Sequence, residues 1–284
     1  MDASPQSSWS SKLPSLFKYV PPARIDVLER LKIAFTPPSR FNDPFDQNPA
    51  IAPVTEPAVL WPMAKSFAKH CAPQFLDLPT EERARKKAVR KVQTDVLKQM
   101  IADAEPFTAF LQDQLTQLGD QFGVLCLSTV SNSLLMWAHY AASHEGFLIE
   151  FSIEQPSFQE LGKLVRISYS PTRPIYDPGK SKSTSYAYQV KGADWAYESE
   201  YRIVRFLHRC ESEEKNGVKI FLCPFSAEAI KAIYLGHRIT KTNRERILAI
   251  ARMHSLRVFE TWLSRTHFVL GFREIRSAET SNTV

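Results

Sequence analysis

Glycine is scarce. Only nine of 284 residues are glycine, and none clusters into a loop that could cradle a phosphate. The chain has no G-x-x-x-x-G-K-[ST] run, no G-x-G-x-x-G, no G-x-S-x-G and no H-E-x-x-H. These absences exclude the P-loop NTPases, the dinucleotide-binding Rossmann enzymes, the serine α/β-hydrolases and the zinc peptidases of that signature. Cysteine is nearly as rare. Cys71, Cys126, Cys210 and Cys223 lie far apart and form no C-x-x-C pair. That argues against a zinc knuckle and a disulfide framework, and for reduced thiols in a cytoplasmic setting. Cys126, inside the apolar run "GVLCLS", is expected to be a buried thiol.

Long apolar runs are absent as well. No stretch approaches the roughly 20 residues needed to cross a bilayer, so no membrane partner is expected. The start, "MDASPQSSWSSKLPS", lacks the apolar centre of a secretory signal, and residues 1–14 are expected to be a disordered leader. The formal charge of +6 suits an anionic partner. Much of the excess sits in "RARKKAVRK" (83–91), either a solvated helix face or a nucleic-acid contact. No nucleic-acid motif with its required spacing accompanies it.

What is present is an alternation of short apolar strands and helices. "SLFKYVPP" reads as a strand stopped by two prolines, "ARIDVLERLKIAFTPP" as a helix leading into a strand. From about Ala58 to Leu118 the pattern is helical, with Thr80 as a cap and Val89, Val92, Val96 and Met100 as an apolar stripe. Then come strand "VLCLST", helix "NSLLMWAHYAAS", strand "GFLIEFS" and strand "KLVRISYS". "YRIVRFL" and "GVKIFLC" are expected to pair across a loop containing "ESEEKNG". The end reads strand "IKAIYLG", helix "NRERILAIARMHS", strand "RVFETWL". The expected class is α+β: a mixed, mainly antiparallel sheet with packed helices, forming one domain over 15–275 with a helical insertion at about 58–118. Residues 276–284 are expected to be a disordered tail.

Four polar groups stand out. Glu198 and Glu200, two residues apart, share a strand face with Arg202 if the segment is extended, with Tyr197 and Tyr201 opposite. They form either an exposed ionic stripe or a site in which a carboxylate grips a ribose hydroxyl, or acts as a general base. Ser128 and Thr129 end a strand ahead of a helix carrying Met136, Trp137 and Tyr140; those rings either pack the core or hold a flat ligand ring. His139 and His144 are too poorly spaced for one helix face, so no metal is expected. Lys18 and Tyr19 on the first strand, with Arg24 after them, read as an edge charge and a half-buried ring, or as a cation that meets a phosphate. Asn42, Asp43 and Asp46 suit a turn better than a divalent ion.

Several segments together resemble a large bacterial family catalogued only as a domain of unknown function (DUF2971-like): "LFKYVPP", "RFNDPFD", "CLSTVSNSLLMWAHYAASHEGFLIEF", "KGADWAYESEYRI" and "IKAIYLGHRI". The last but one carries Lys191, Trp195 and Arg202 in the pattern K-x-x-x-W-x-YE-x-EYR. The resemblance covers most of the chain outside the leader and 58–118. It implies bacterial origin and a whole-chain domain, without an activity. A second resemblance is to the ADP-ribosyltransferase fold, which places a basic residue on an early strand, a Ser-Thr-Ser or Tyr element later, and a glutamate, sometimes Glu-x-Glu, later still. Lys18, then Ser128-Thr129 with Tyr140, then Glu198-x-Glu200 follow that order. Lys18 replaces the usual Arg or His, and Val130 replaces the second Ser.

That second resemblance implies NAD as substrate and no metal. Glu200 would then be the anion and ribose ligand, and Glu198 would orient or deprotonate the acceptor. Ser128 and Tyr140 would hold the nicotinamide end, and Lys18 would meet the pyrophosphate. The readings carried forward are an ADP-ribosyltransferase or NAD glycohydrolase, of the kind found in toxins and antiviral defence effectors; a nucleic-acid-binding or -processing protein; and a non-catalytic interaction module.

Overall fold

The computed structural model describes residues 15–52, 60–65, 80–103, 105–177 and 188–275. The expected leader and tail, Cys71, and parts of the helical insertion lie outside them. The fold is α+β. In chain order the strands are β1 (Leu16–Val20), β2 (Lys32–Phe35), β3 (Ala50–Ile51), β4 (Phe122–Ser128), β5 (Phe147–Phe151), β6 (Leu164–Arg166), β7 (Ser168–Ser170), β8 (Ile175–Tyr176), β9 (Val190–Gly192), β10 (Glu200–Phe206), β11 (Glu211–Lys215), β12 (Val218–Pro224), β13 (Ile230–Leu235), β14 (Arg257–Leu263) and β15 (Leu270–Glu274). The helices used below are α1 (Asp26–Arg30), α2 (Glu82–Ala102), α3 (Glu105–Gly119), α4 (Leu134–Tyr140), α5 (Pro156–Gln159) and α6 (Lys241–Met253).

The chain divides into two compact units, one formed by residues 1–40, 121–169 and 193–284, the other by 41–120 and 170–192. The first unit holds an eight-stranded sheet in the order β15-β14-β13-β5-β1-β4-β10-β6 and a three-stranded sheet β11-β12-β2. Among the described residues, the pairings in the large sheet are antiparallel except β13 with β14, which α6 joins as a crossover and so leaves parallel. Thr240 starts α6 by accepting the Asn243 N–H on its hydroxyl.

Period-two alternation sorts side chains between two apolar layers. Leu16 and Val20 of β1 join Phe147, Ile149 and Phe151 of β5, Ile203 of β10 and Ile247 and Ala251 of α6 in the larger layer. Phe17 and Tyr19 point the other way, joining Leu148 and the α4 residues Met136 and Trp137. β5 is therefore buried on both faces, which is why "FLIEF" reads as an almost unbroken apolar run. Its one charged residue, Glu150, accepts from Ser15 Oγ (2.8 Å), Tyr234 Oη (2.6 Å) and Lys231 Nζ (2.6 Å). Burial raises the Glu150 pKa, yet the bonds from Lys231, Tyr234 and Ser15 outweigh it and hold the carboxyl below its ordinary value. A depressed folded-state value contributes stability above the unfolded carboxylate pKa and loses it on acidification. Lys231→Met should therefore flatten the fall in unfolding free energy between about pH 5 and pH 3. An unchanged acid limb in urea titrations would refute this.

Two glycines let β5 and β13 meet. The Gly236 N–H donates to Gly146 O at 2.9 Å. A Cβ on Gly146 would lie 2.1 Å from Val20 O, and one on Gly236 would lie 2.2 Å from His144 O. Both obstacles are backbone and cannot swing aside. Gly146→Ala is expected to destabilise the unit by about 1–3 kcal/mol, read as a lower urea midpoint at unchanged m-value.

The structure corrects the expected pairing of "YRIVRFL" with "GVKIFLC". β10 pairs with β4 and β6, whereas β12 pairs with β11 and β2. "ESEEK", read as loop, is β11 itself. It is polar on both faces and gives no apolar alternation, but Asn216 and Gly217, at φ 53° and 74°, make the tight hairpin that Asn-Gly encodes. Arg30 and Lys32 neutralise it through Glu213 and Glu211. Thr80 is not the cap of α2 either. Glu81 takes that position, with no side-chain bond to the helix.

In the second unit, α2, α3 and the helical residues 60–65 bring Leu60 and Ala64 together with Val96, Leu97, Phe110 and Leu111. Among the described residues, no helix is long and apolar enough to cross a membrane.

Candidate functional site

β4 and β10 run antiparallel with Glu200 opposite Ser128 and Arg202 opposite Cys126. Phe17 of β1 lies on Ser128's other side. Cross-strand partners share a face, so Ser128 and Glu200 stand together where β4 ends and β10 begins. Glu200 is only 4% exposed and Arg202 1%. The guanidinium forks onto the carboxylate, Nε to Oε1 at 2.7 Å and Nη2 to Oε2 at 2.8 Å. Burial, followed by the neighbouring Glu200 carboxylate, pushes the Cys126 thiol well above its ordinary range. The ion pair is thus a buried fork, not the exposed stripe that Glu-x-Glu-x-Arg also allowed.

Glu198 reaches the site by a different route. Residues Ala193–Glu198 form a 3-10 helix, and Ser199 takes a left-handed φ of 45° before β10 starts. The expectation that Glu198 and Glu200 lie on one strand face is therefore corrected: only Glu200 is on the strand. Glu198 is nonetheless 3% exposed. Its carbonyl accepts from Ser128 Oγ at 2.6 Å, and its Oε1 accepts from Tyr140 Oη at 2.5 Å. Thr129 N–H donates to Ser199 O at 3.2 Å, and the Glu200 N–H donates to Tyr169 Oη at 2.8 Å. The chain ahead of β10 is thereby tied to β4, α4 and Tyr169.

Helix α4 carries Tyr140 into place. Ser133 caps it by accepting the Met136 N–H, and Ala142, Ser143 and His144, all at positive φ, follow its end. Trp137 is fully buried, and its Nε1 donates to Ser131 O at 2.8 Å. Tyr19 crosses the Trp137 ring edge-on at 5.4 Å and donates to Val130 O at 2.8 Å. Burial, partly countered by a backbone bond at Ser133, pushes the Tyr19 phenol well up. Trp137 and Tyr19 thus brace the loop after β4 from within the core, the packing alternative that the sequence left open for Trp137. Lys18 alternates away from Phe17 and Ser128, lies opposite Ile149, and donates to Cys126 O at 3.0 Å. The structure does not place it on the Glu200 face. Arg24, likewise distant in role, pairs with Asp26.

A partly exposed ring cluster borders Tyr140. His139 lies 6.3 Å edge-on from Tyr197, and Trp195 lies 6.1 Å from Tyr197. Tyr197, expected opposite Glu198 on an extended strand, lies instead in the 3-10 helix. The 3-10 helix, which no apolar period announces, is what brings Tyr197 to His139.

In the second unit, Asp43 makes the turn expected of it: Oδ1 accepts the Phe45 N–H at 2.9 Å and its carbonyl accepts from Asp46 at 3.2 Å. Asn42 precedes it, exposed. Asp46 and Lys191, both buried, form an ion pair at 3.7 Å. Nothing local in either segment signals that pair. Among the described residues, no three His, Cys, Asp or Glu side chains group as metal ligands.

Residues 136–203 match the model of the family described as "Protein of unknown function (DUF2971)". The matched stretch begins inside α4 at Met136 and ends at Ile203 of β10, so it contains Trp137, Tyr140, Glu198, Glu200 and Arg202. The chain is similar to that family over this stretch, which leaves β4 and Ser128 outside the match. Neither the curated proteins nor the solved structures give a match.

Proposed function

We propose that the chain is a cytoplasmic bacterial enzyme that breaks the nicotinamide–ribose bond of NAD and passes the ADP-ribosyl group to an acceptor or to water. The observation that carries this reading is the Glu198 carboxylate, 3% exposed and bonded to Tyr140 Oη, beside Ser128 and the Glu200–Arg202 fork. Two remote stretches of chain, 128–140 and 198–202, supply these groups. Departure of nicotinamide leaves positive charge on the ribose ring, and a fixed carboxylate favours that state. Arg202 already engages both oxygens of Glu200, so Glu200 sets the field and Glu198 faces the sugar. A ribose hydroxyl can share the Glu198 carboxylate with the Tyr140 hydroxyl, since an ionised carboxylate has about four acceptor sites. The ring cluster His139, Tyr197 and Trp195 supplies a face for a flat base.

The test is direct. The full chain is incubated with NAD, and nicotinamide release is followed by chromatography; release above the uncatalysed background is expected. No release, together with no effect of NAD on thermal unfolding, would overturn the reading.

A second reading, nucleic-acid binding, rests on α2, where Arg83, Arg85, Lys86, Lys87, Arg90 and Lys91 are all exposed. It calls for an affinity that falls steeply with salt and is unaffected by changes at Glu198.

A further inference from the structure

We propose that Cys210 and Cys223 are a redox-modification site, a thiol pair that closes reversibly to an intramolecular disulfide on exposure to a small-molecule disulfide. The two cysteines are remote from the Glu198 site in role, and the proposal does not depend on NAD chemistry.

Geometry carries it. The Cys223 thiol donates to Cys210 Sγ at 3.2 Å. Glu211 lies opposite Leu222 as the first rung of the β11–β12 ladder, so Cys210 and Cys223 occupy the next rung outward and face each other across it. A disulfide of about 2.05 Å requires the sulfurs to close by only about 1 Å. The two thiols differ in access. Cys223 is 1% exposed and also pairs with Ile33 of β2, whereas Cys210 is half-buried after the turn Leu207–Arg209. Burial first, and the contact with Cys210 second, push the Cys223 thiol up to about 12. Cys210 is therefore the sulfur that meets an oxidant. Cys126 serves as an internal control, lodged in the large sheet beside Glu200.

The chemistry balances. Cys210, as thiolate, attacks one sulfur of a disulfide RSSR, forming Cys210–S–SR and expelling RS⁻. Cys223 loses its proton and attacks Cys210 Sγ; the protein disulfide forms and a second RS⁻ leaves. The two leaving thiolates take up the two protons, so two thiols are oxidised and RSSR is reduced to two RSH. The new bond ties the turn after β10 to β12 and closes the β11–β12 hairpin into a loop. Loss of freedom in the unfolded chain should raise the unfolding midpoint by about 5–10 °C.

The experiment uses the full chain treated with glutathione disulfide, alkylated after denaturation, digested and mapped by mass. A peptide joining Cys210 to Cys223, two hydrogens lighter and undone by dithiothreitol, is expected, with the higher unfolding midpoint. Cys210→Ser and Cys223→Ala should each abolish that rise. Full alkylation of both cysteines, glutathione retained on Cys210 without a joined peptide, or a bridge to Cys126 or Cys71 would each overturn the proposal. Mapping of the unaltered chain decides the matter even where a variant fails to fold.

Discussion

Replacing Arg202 with methionine should cost about 3–5 kcal/mol of folding free energy, the range for removing one partner of a buried ion pair. Glu200 sits at 4% exposure and receives two charge-assisted bonds from that guanidinium. Methionine fills much of the volume but donates nothing, so a carboxylate stays in the sheet without its principal counter-charge. The double variant Glu200→Leu/Arg202→Met removes both charges and should recover most of the loss, because the pair's attraction is largely spent on its own desolvation. Urea unfolding of the single and double variants reads this as a coupling energy. A single-variant loss under about 1 kcal/mol would mean that water reaches Glu200, contrary to the burial described above.

Glu198→Gln should lower NAD turnover by about 10²–10³-fold, the scale of removing one preorganised electrostatic group from a site. Glutamine keeps an oxygen that can accept from Tyr140 Oη, so the loop ahead of β10 retains that tie while the charge is lost. Thermal unfolding should stay within about 2 °C of the unaltered chain, since a shape-conserving change that keeps the bond has little to destabilise. Nicotinamide release against time gives kcat. Turnover equal to the unaltered chain would remove Glu198 from the chemistry. Glu200→Gln, which the Glu-x-Glu pattern alone recommends, is the poorer probe: it weakens the fork to Arg202 and should lower stability and turnover together.

The large sheet was legible because β4, β5, β10, β13 and β14 are driven by apolar alternation or apolar runs, which sequence displays directly. The terminal hairpin strand β15 and the polar β11 were not, since Arg273, Glu274 and the acids of "ESEEK" carry no such pattern. The site was half legible. Ser128, Tyr140, Glu198 and Glu200 were picked out by residue type and order, and the structure brings these four together. Lys18 was picked out by the same means, and sheet alternation turns it to the other face, whereas Tyr19 and Trp137 lie beneath the loop after β4, bonded to Val130 O and Ser131 O. What sequence could not display was the conformation of Ser199. A single left-handed residue between two glutamates changes both their directions, and nothing in "YESEY" marks it.

Because β5 is enclosed above and below, the middle of the sheet offers no landing place. On the proposed NAD reading, a ligand would come in at the rim, where β4 gives way to its loop and β10 has just begun. Traffic to Glu198 would then pass the rings of Tyr197 and His139, and their size and polarity would act as a filter on what enters.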